Sequence, residues 1–465
     1  MTRQLPDRRF LGDLRRLLPQ ERVVTAAPTL AALSRDQTEM LEPGSALAAA
    51  FPVSTEEVAA LQRCASEHRV PVVPRGAGTG LAGGATAVDG CLILSLMRMD
   101  RIIEIDREDL VAVVQPGVIN ATLAGAVARA GLFYPPDPSS FEISSIGGNL
   151  ATNAGGLRCV KYGVTREATL GLEIVLADGA VLRTGHRSVK GVAGYDLTAL
   201  FVGSEGTLGV ITEATLRLRT APPPPGTLLA SFRSLPYAAQ ATARITAAGA
   251  APSVLELIDR TTIRAIEDWQ HLGLDTNAAA ILIARSDTPD YGRSELDLVA
   301  VACREAGAVD ILRATDEFES EGLMAARRAA LPALERLGMT LLEDVAVPRG
   351  RVVDLVAAVE EIAERYAMTI GTFGHVGDGN LHPTFVMPRG DPDARSRAAL
   401  AAEELLRTTL DLGGTLTGEH GIGLLKRHLL GEELGSVGLQ ASRAIKQALD
   451  PLGILNPGKV LAPDS

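Results

Sequence analysis

Cysteine is scarce in this 465-residue sequence, and its placement argues against two classes of protein. The four cysteines are Cys64, Cys91, Cys159 and Cys303, and none belongs to a Cys-x-x-Cys pair. We therefore expect neither an iron–sulfur cluster on this chain nor a disulfide framework. Free thiols suit a reducing compartment, which indicates a cytoplasmic protein.

Long apolar runs and aromatic residues are also lacking. No run of about 18 apolar residues occurs, so no membrane-spanning helix is expected. Residues 1–21 mix Arg with Asp and Glu and lack the apolar core of a signal peptide. Aromatic residues make up 3% of the chain and the net charge is −11, which argues against nucleic-acid binding. This composition is typical of an acidic, soluble, globular enzyme.

The length suggests two or three domains, and one proline-rich run marks the clearest boundary. Residues 221–226 read Ala-Pro-Pro-Pro-Pro-Gly, a stiff segment that suits an interdomain link. After this run, strands and helices alternate, which is typical of an α+β or α/β layer. The expected helices include 8–19, 54–68, 120–130, 324–337 and 440–449, and the expected strands include 70–73, 91–96, 101–106, 110–115 and 341–347.

The most distinctive stretch is PVVPRGAGTGLAGG at 71–84, in which five glycines fall within nine residues. Glycine accepts positive φ and has no Cβ, so such a loop can press backbone N–H groups against a phosphate. The spacing Gly78-x-Gly80-x-x-Gly83 matches the dinucleotide fingerprint, but poor helix formers follow where that fingerprint needs a helix. We interpret the stretch as a phosphate-binding loop of another kind, with an ordinary glycine-rich turn as the alternative. Arg75 either neutralises phosphate or forms a surface salt bridge.

Two further glycine-rich stretches lie at 144–156 and 203–211, each beside a predicted strand. One pyrophosphate needs about one such loop. Three loops therefore suggest a long ligand that lies along the backbone, and a flavin dinucleotide has that shape.

Three of the seven histidines occur in two short motifs, GHVGDGNLHP at 374–383 and GEHGIG at 418–423. Two histidines and a carboxylate are a standard ligand set for Zn²⁺ with an open position for substrate. Mn²⁺ or Fe²⁺ would also accept this set. The alternative is that each histidine makes a structural hydrogen bond. His420 follows Glu419 directly and is suited to act as a general base.

A pair of arginines, Arg327 and Arg328, lies on the helix predicted at 324–337. Arginine suits bidentate recognition of a carboxylate. The alternative is a solvated arginine on an exposed helix face.

Six motifs in order together resemble those of FAD-linked 2-hydroxy-acid oxidases: PRGAGTGLAGGA, PPDPSS…SIGGNLATNAGG, GYDLTALFVGSEGTLGVITEATLRL, GHVGDGNLHP, GEHGIG and LDPLGILNPGKV. This family includes the flavin subunit of glycolate oxidase, D-lactate dehydrogenase and D-2-hydroxyglutarate dehydrogenase, and it belongs to the vanillyl-alcohol-oxidase-like superfamily. The resemblance covers about residues 45–461. It implies an α+β fold with a two-part FAD-binding domain at 1–221, a cap or substrate domain at 226–415, and a C-terminal return at 416–465.

The resemblance also implies roles for individual residues. His375, His382 and Glu419 correspond to metal ligands, His420 to the base that takes the hydroxyl proton, and Arg327 to the arginine that binds the substrate carboxylate. Asn380 lies beside the site. The residues implied at FAD are Pro74, Arg75, Gly76, Ala77, Gly78, Thr79, Gly80, Leu81, Pro136, Asp137, Ser139, Ser145, Gly147, Gly148, Asn149, Asn153, Gly155, Glu205, Gly206, Gly209, Ile211 and Asn456.

Two departures from the family bear on these expectations. Some superfamily members attach the flavin to a histidine near the first loop, but residues 75–85 contain none, so we expect non-covalent FAD. Relatives often carry an aromatic residue just before the helical arginine, whereas this chain has Leu323-Met324-Ala325-Ala326. That difference leaves the shape of the substrate pocket open.

The resulting hypothesis is an FAD-dependent, metal-assisted oxidation of a small D-2-hydroxy acid to the 2-oxo acid. Hydride would pass to flavin N5, and the metal, zinc first and Mn or Fe second, would bind the substrate hydroxyl and carboxylate. The expected electron acceptors are a partner protein, a quinone or oxygen. An iron–sulfur partner subunit, a homodimer and peripheral attachment to the inner membrane through partners are further expectations. The alternatives are an electron-conducting flavin subunit and a metallohydrolase without flavin chemistry.

Overall fold

The computed structural model describes residues 4–188 and 190–462, and the chain divides into two compact units. The first unit contains residues 4–155, 164–221 and 419–462, and the second contains 156–163 and 222–418. The division after residue 221 falls in the proline-rich run. The short segment 156–163 belongs to the second unit, which no sequence pattern indicated.

The helices alternate with strands along most of the chain. In chain order they are α1 (Gln4–Leu17), α2 (Ala27–Leu33), α3 (Thr55–His68), α4 (Asn120–Arg129), α5 (Ile146–Thr152), α6 (Cys159–Tyr162), α7 (Leu197–Phe201), α8 (Leu235–Ala247), α9 (Arg260–Gln270), α10 (Arg293–Glu305), α11 (Glu317–Leu337), α12 (Val352–Arg365), α13 (Pro392–Asp411) and α14 (Leu430–Leu449). Within residues 4–188 and 190–462, no helix combines the length and the apolarity needed to cross a membrane.

The strands are mostly short. In chain order they are β1 (Val23–Val24), β2 (Ala48–Ala50), β3 (Val72–Arg75), β4 (Leu92–Ser95), β5 (Ile102–Asp106), β6 (Val111–Val114), β7 (Leu132–Phe133), β8 (Thr169–Val175), β9 (Val181–Gly185), β10 (Val210–Arg217), β11 (Arg219–Thr220), β12 (Gly226–Phe232), β13 (Val254–Asp259), β14 (Ala280–Ser286), β15 (Ala308–Arg313), β16 (Met339–Leu342), β17 (Val345–Ala346), β18 (Thr369–His375) and β19 (Asn380–Met387).

The first unit is built on two main sheets. One has the order β1-β2-β4-β3, in which β4 pairs in parallel with both β2 and β3. The other is antiparallel, with the order β5-β6-β10-β8-β9. Ser54 caps the N-terminus of α3, because its hydroxyl accepts the N–H of Glu57 at 3.4 Å, as the N-cap pattern predicted. It packs Val58 and Leu61 into the core beside the first sheet.

The expectation of a loop throughout the second glycine-rich stretch is wrong, because residues 146–152 form α5. The Ser145 hydroxyl caps this helix by accepting the N–H of Gly148 at 3.3 Å. Ile146 and Leu150 are fully buried in the core. A cap and two buried side chains thus outweigh the poor helix propensity of the glycines. The helix ends at Asn153, which has a φ of +53°.

The second unit is organised around one antiparallel sheet with the order β15-β12-β14-β13-β18-β19-β16, and β17 also pairs with β19. Helices α9 and α11 pack on it through a common apolar cluster. Antiparallel pairing with interspersed helices confirms the α+β fold class. The strand expected at 341–347 is interrupted at Glu343 and Asp344, so that it forms β16 and β17. The helix expected at 440–449 begins earlier, at Leu430, and is kinked at Gly435.

Candidate active site

The first glycine-rich loop leaves β3 and contains no helix over residues 76–90, as the sequence predicted. Gly78 and Gly83 have φ values of +80° and +81°, which glycine adopts without strain. A Cβ at Gly78 would overlap the Arg75 guanidinium. Arg75 itself is 8% exposed and donates to the carbonyl of Arg35 at 2.9 Å. The surface salt bridge considered for Arg75 is therefore wrong.

Burial lowers the pKa of the Arg75 guanidinium, and the nearby Asp36 carboxylate partly opposes this effect. The carboxylate of Asp36 accepts from the backbone N–H of Ala85 at 3.3 Å and from the hydroxyl of Thr86 at 3.2 Å. The buried guanidinium of Arg75 thus lies beside the loop, and the Asp36 carboxylate fixes the end of the loop at Ala85 and Thr86. This arrangement favours an anionic ligand at residues 76–80.

Ser145 joins the first two glycine-rich stretches. Its hydroxyl accepts from the backbone N–H of Ala77 and of Gly148, both at 3.3 Å. A Cβ at Gly76 would overlap this hydroxyl. The side-chain amide nitrogen of Asn149 is buried and has no hydrogen-bond partner within residues 4–188 and 190–462. A close-packed cradle with an unsatisfied buried donor fits a polar ligand such as FAD.

The third stretch and the C-terminal segment meet at Asn456. The Asn456 amide donates to the carbonyl of Gly84 at 2.8 Å and to that of Glu205 at 2.7 Å. A Cβ at Gly206 would lie 3.1 Å from the Pro74 ring. The three stretches and Asn456 are therefore neighbours in the first unit, although they are separated by as many as 372 residues.

The other residues expected at FAD have more varied surroundings. Asn153 accepts from the Arg166 N–H at 2.9 Å, and the carbonyl of Pro136 accepts from Asn120 at 3.2 Å. Gly147 packs on Pro116, and Gly209 packs on Ile174 and Phe201. Ile211 is a core residue of β10, Gly155 is buried, Ser139 is exposed, and Asp137, Thr79, Gly80 and Leu81 are half-buried.

We predict that Gly78→Ala weakens FAD binding by more than about tenfold. The substitution costs roughly 1–2 kcal/mol in the left-handed backbone, and its Cβ would also displace the Arg75 guanidinium. Gly90→Ala is the matched control, since Gly90 has a φ of +72° with open space around its Cβ position. Fluorescence titration of the apoprotein with FAD measures both affinities. Equal weakening in the two variants would show that the contact between the new Cβ and Arg75 is not responsible.

A row of polar side chains lies on one face of the second unit's sheet. In the β18–β19 register His375 faces Asn380, and Phe373 faces His382. Residues two apart on a strand share a face, so all four side chains point to the same side. The ring centroids of His375 and His382 are 5.2 Å apart. The β18–β19 hairpin therefore brings together two histidines that are seven residues apart in the sequence.

Glu256 of β13 is fully buried and holds both His375 and Arg327. One carboxylate oxygen lies 2.7 Å from His375 Nδ1, and the other accepts from Arg327 Nε. Because an ionised carboxylate only accepts hydrogen bonds, His375 Nδ1 carries a proton. Burial would raise the pKa of Glu256, but His375 and Arg327 lower it below its usual range. The carboxylate therefore stays ionised near neutrality, and its stabilising contribution is lost as the pH falls through this lowered pKa.

Arg327 is a buried residue of α11, not a solvated one, with 4% of its surface exposed. Its guanidinium carbon lies 4.8 Å from the centre of the Phe373 ring. Its Nη2 is buried and has no hydrogen-bond partner among the residues that the structure describes. Arg328, the other arginine of the pair, bonds to Glu321 at the surface. Only Arg327 therefore has the desolvated environment expected of a carboxylate-binding arginine.

Asp344 organises the other end of this polar row and is also fully buried. It accepts from the amide of Asn380 and the hydroxyl of Thr417, both at 2.7 Å. Its carboxylate lies 3.7 Å from His382 Nδ1. The Asn380 amide also donates to the carbonyl of Val345 at 3.0 Å, so both of its N–H groups are engaged.

Sequence reasoning missed Glu256 and Asp344. One signal was present for Glu256, which is the single charged residue in the apolar run Val-Leu-Glu-Leu-Ile at 254–258. An ionised residue inside a buried strand requires a partner of opposite charge. Asp344 follows Glu343 between two short strands, and no pattern distinguished it from a turn residue.

Glu419 and His420 belong to the first unit, in which His420 Nε2 lies 3.8 Å from the Glu419 carboxylate. Both side chains are largely buried, with 11% and 15% exposed. The next residues are held by Glu205, whose carboxylate accepts from the N–H of Ile422 at 2.8 Å and of Gly423 at 2.9 Å. Burial raises the pKa of Glu205 to about 7, and these two hydrogen bonds oppose the rise.

Comparison with known families identifies the chain as an FAD-dependent oxidoreductase. Residues 46–185 match a family described as "FAD binding domain", and residues 222–460 match one described as "FAD linked oxidases, C-terminal domain". The chain belongs to the FAD-linked oxidases, which confirms the family resemblance seen in its motifs.

The curated relatives cover most of the chain. It is 47% identical to the glycolate oxidase subunit GlcD of Bacillus subtilis over 416 residues, which are 89% of this chain and 88% of the relative. It is 38% identical to the Escherichia coli subunit of that name, covering 88% of this chain and 82% of the relative. It is 35% identical to a D-lactate dehydrogenase of Anaerostipes hadrus, covering 88% of each.

Solved structures of the same fold are more distant in sequence. The 4-ethylphenol oxidase of Gulosibacter chungangensis matches with a TM-score of 0.81 at 21% identity, covering 99% of this chain and 98% of that one. A p-cresol methylhydroxylase matches with a TM-score of 0.82 at 19% identity and the same coverage. These structures confirm the two-domain α+β fold.

Proposed function

We propose that this enzyme oxidises a small D-2-hydroxy acid of the glycolate, D-lactate or D-2-hydroxyglutarate type to the corresponding 2-oxo acid. The observation that carries the proposal is the buried guanidinium of Arg327, whose Nη2 lacks a partner in the described residues and which lies beside His375. A desolvated arginine is suited to a carboxylate. The names of the relatives support the same substrate class.

The first unit would hold FAD without a covalent bond. Gly76, Gly78 and Ser145 form the cradle, Arg75 supplies positive charge for the phosphates, and Asn149 offers a buried donor. When bound, FAD supplies the acceptor for the hydride that leaves C2 of the substrate, at N5. The protein contributes the orientation of the ligand and the charge around it.

His375, His382 and Glu419 would hold a divalent metal, Zn²⁺ first and Mn²⁺ or Fe²⁺ second. The histidines fit this role because His375 donates Nδ1–H to Glu256 and His382 has Asp344 near its Nδ1. Metal-binding histidines commonly donate their other ring N–H to a carboxylate. Such a metal would bind the 2-hydroxyl and the carboxylate and lower the pKa of the hydroxyl.

His420 would take the hydroxyl proton, and Arg327 would hold the substrate carboxylate. The N–H groups of Asn380 bind Asp344 and Val345, so its side chain is fixed beside the histidines. Asn380 would therefore act by holding the site in shape, through Asp344.

The electrons would leave to a partner protein, a quinone or oxygen. Two relatives are named as subunits of glycolate oxidase, which supports a complex with partner subunits. An iron–sulfur subunit among them is part of the proposal on the motif resemblance alone. We place the enzyme in the cytoplasm, peripheral to the inner membrane through such partners, and a homodimer remains part of the proposal.

Anaerobic mixing of the FAD-loaded protein with a panel of D- and L-2-hydroxy acids tests this function. We expect glycolate or a D-enantiomer to bleach the flavin absorbance, and L-enantiomers to leave it unchanged. Protein that binds no added FAD, or hydrolyses esters without it, would support the metallohydrolase alternative. A flavin that no acid reduces but a reduced partner protein does would support the electron-conducting alternative.

A further inference from the structure

Glu205 is a buried acid of the first unit whose carboxylate has no place in the proposed chemistry. It lies in the third glycine-rich stretch and is 6% exposed. Its backbone has a φ of +51°, a conformation that costs a non-glycine residue free energy. The Asn456 amide holds the Glu205 carbonyl at 2.7 Å. The backbone of Glu205 is thus held in a strained conformation, which sets the direction of its carboxylate.

The Glu205 carboxylate binds backbone N–H groups two and three residues after His420. One oxygen accepts from the N–H of Ile422 at 2.8 Å and of Gly423 at 3.1 Å, and the other accepts from Gly423 at 2.9 Å. Gly421 has a φ of +88°, and a Cβ there would come within 2.8 Å of the Glu205 carboxylate. Because glycine has no Cβ, the glycines of the Gly-Glu-His-Gly-Ile-Gly motif let the backbone approach the Glu205 carboxylate, as they would let it approach a ligand.

The turn is also fixed from its other side. A Cβ at Gly423 would overlap the carbonyl of Ala82 in the first glycine-rich loop, and the N–H of Leu424 donates to that carbonyl at 2.9 Å. Residues 421–424 are thus clamped between Glu205 and the loop expected at FAD. His420 is the residue immediately before this clamp.

We propose that Glu205 is a positioning residue for His420, and that its carboxylate holds the Ile422 and Gly423 peptides so that His420 has one fixed direction. This role rests on the proposed function of His420 as the base. A carboxylate suits it because it accepts two N–H groups at once and forms stronger hydrogen bonds than a neutral amide. Glu205 would then act on the base and not on FAD.

Glu205→Gln tests the proposal, with Glu173→Gln as the matched control. Glutamine keeps the volume, but one oxygen becomes an NH₂ group that faces the Gly423 donor. Glu173 is also a buried carboxylate of the first unit, 7% exposed, and its partners are Thr55, Arg183 and Thr212. Both substitutions remove one buried negative charge, and only the first alters the turn.

The first measurement is amide hydrogen exchange of the FAD-loaded protein over residues 419–425 at pH 8, where a group with a pKa of about 7 is ionised. We expect exchange at Ile422 and Gly423 to be roughly tenfold to a hundredfold faster in Glu205→Gln. Glu173→Gln should exchange like the wild type. Unchanged exchange in Glu205→Gln would overturn the proposal, whatever its activity.

The second measurement is the rate of flavin reduction by the acid that reduces the wild type. We expect Glu205→Gln to lower the maximal rate at least tenfold with little change in the substrate concentration for half-saturation, because the substrate-binding residues are untouched. Faster exchange with a wild-type rate would overturn the positioning role. If no acid reduces the wild type, the proposed function fails and the role for a catalytic His420 fails with it, while the exchange result still decides whether Glu205 holds the turn.

Discussion

Replacement of His420 by glutamine is expected to lower the rate of flavin reduction by about 10²–10⁴-fold, the usual contribution of a positioned general base. Glutamine keeps hydrogen-bonding capacity but cannot take up a proton near neutral pH. The substrate hydroxyl must then lose its proton to solvent base, so we expect the residual rate to rise with pH. Anaerobic stopped-flow measurement of flavin bleaching gives the rate at each pH.

His428→Gln is the matched control for this prediction. His428 lies in the same segment of the first unit and is exposed, so its replacement should leave the rate unchanged. FAD content should stay near that of the wild type in both variants, because neither histidine belongs to the glycine-rich cradle. A His420→Gln enzyme with wild-type reduction would show that His420 is not the base.

The motif resemblance predicted the fold class, the family and the cofactor, because each of its six motifs is local in the sequence. Glycine-rich loops, a proline-rich boundary and helical periodicity each lie within a short window. The local reading failed at α5, where the Ser145 cap and the burial of Ile146 and Leu150 outweigh the glycine content. That outcome depends on a core that no window of the sequence contains.

The candidate site was predicted only in part, because its supporting residues are distant in sequence. Glu256 lies 119 residues from His375 and 71 from Arg327. Glu205 lies 217 residues from Ile422. The sequence suggested Glu205 as a residue at FAD, whereas the structure shows which backbone groups its carboxylate holds. Contacts of this kind depend on strand register and on where loops bring distant segments together. Composition and motif spacing do not reveal them.

Glu256→Gln is expected to weaken metal binding by about 10–100-fold, the usual effect of removing a carboxylate behind a metal-binding histidine. Glutamine has one acceptor oxygen for two donors, His375 Nδ1 and Arg327 Nε, so its NH₂ group would oppose one of them. The variant also leaves the guanidinium of Arg327 buried without its carboxylate, which destabilises the second unit by about 3–5 kcal/mol. Competition with a chromogenic chelator measures the metal affinity, and thermal unfolding measures the stability.

Asp259→Asn is the matched control for removing a buried acid from β13. Asp259 is a buried acid of the same strand, β13, whose carboxylate caps α9 by accepting the Thr262 N–H at 2.9 Å. Asparagine caps a helix as well as aspartate does, so this replacement should change stability little. It should also leave metal affinity unchanged, because Asp259 bonds to neither histidine nor arginine in the polar row. Loss of metal in Glu256→Gln alone would therefore reflect the His375 contact. Equal metal affinity in wild type and Glu256→Gln would show that His375 does not bind a metal through Nε2. The hydrogen bond between His375 and Glu256 would then help to orient the carboxylate that neutralises the buried Arg327.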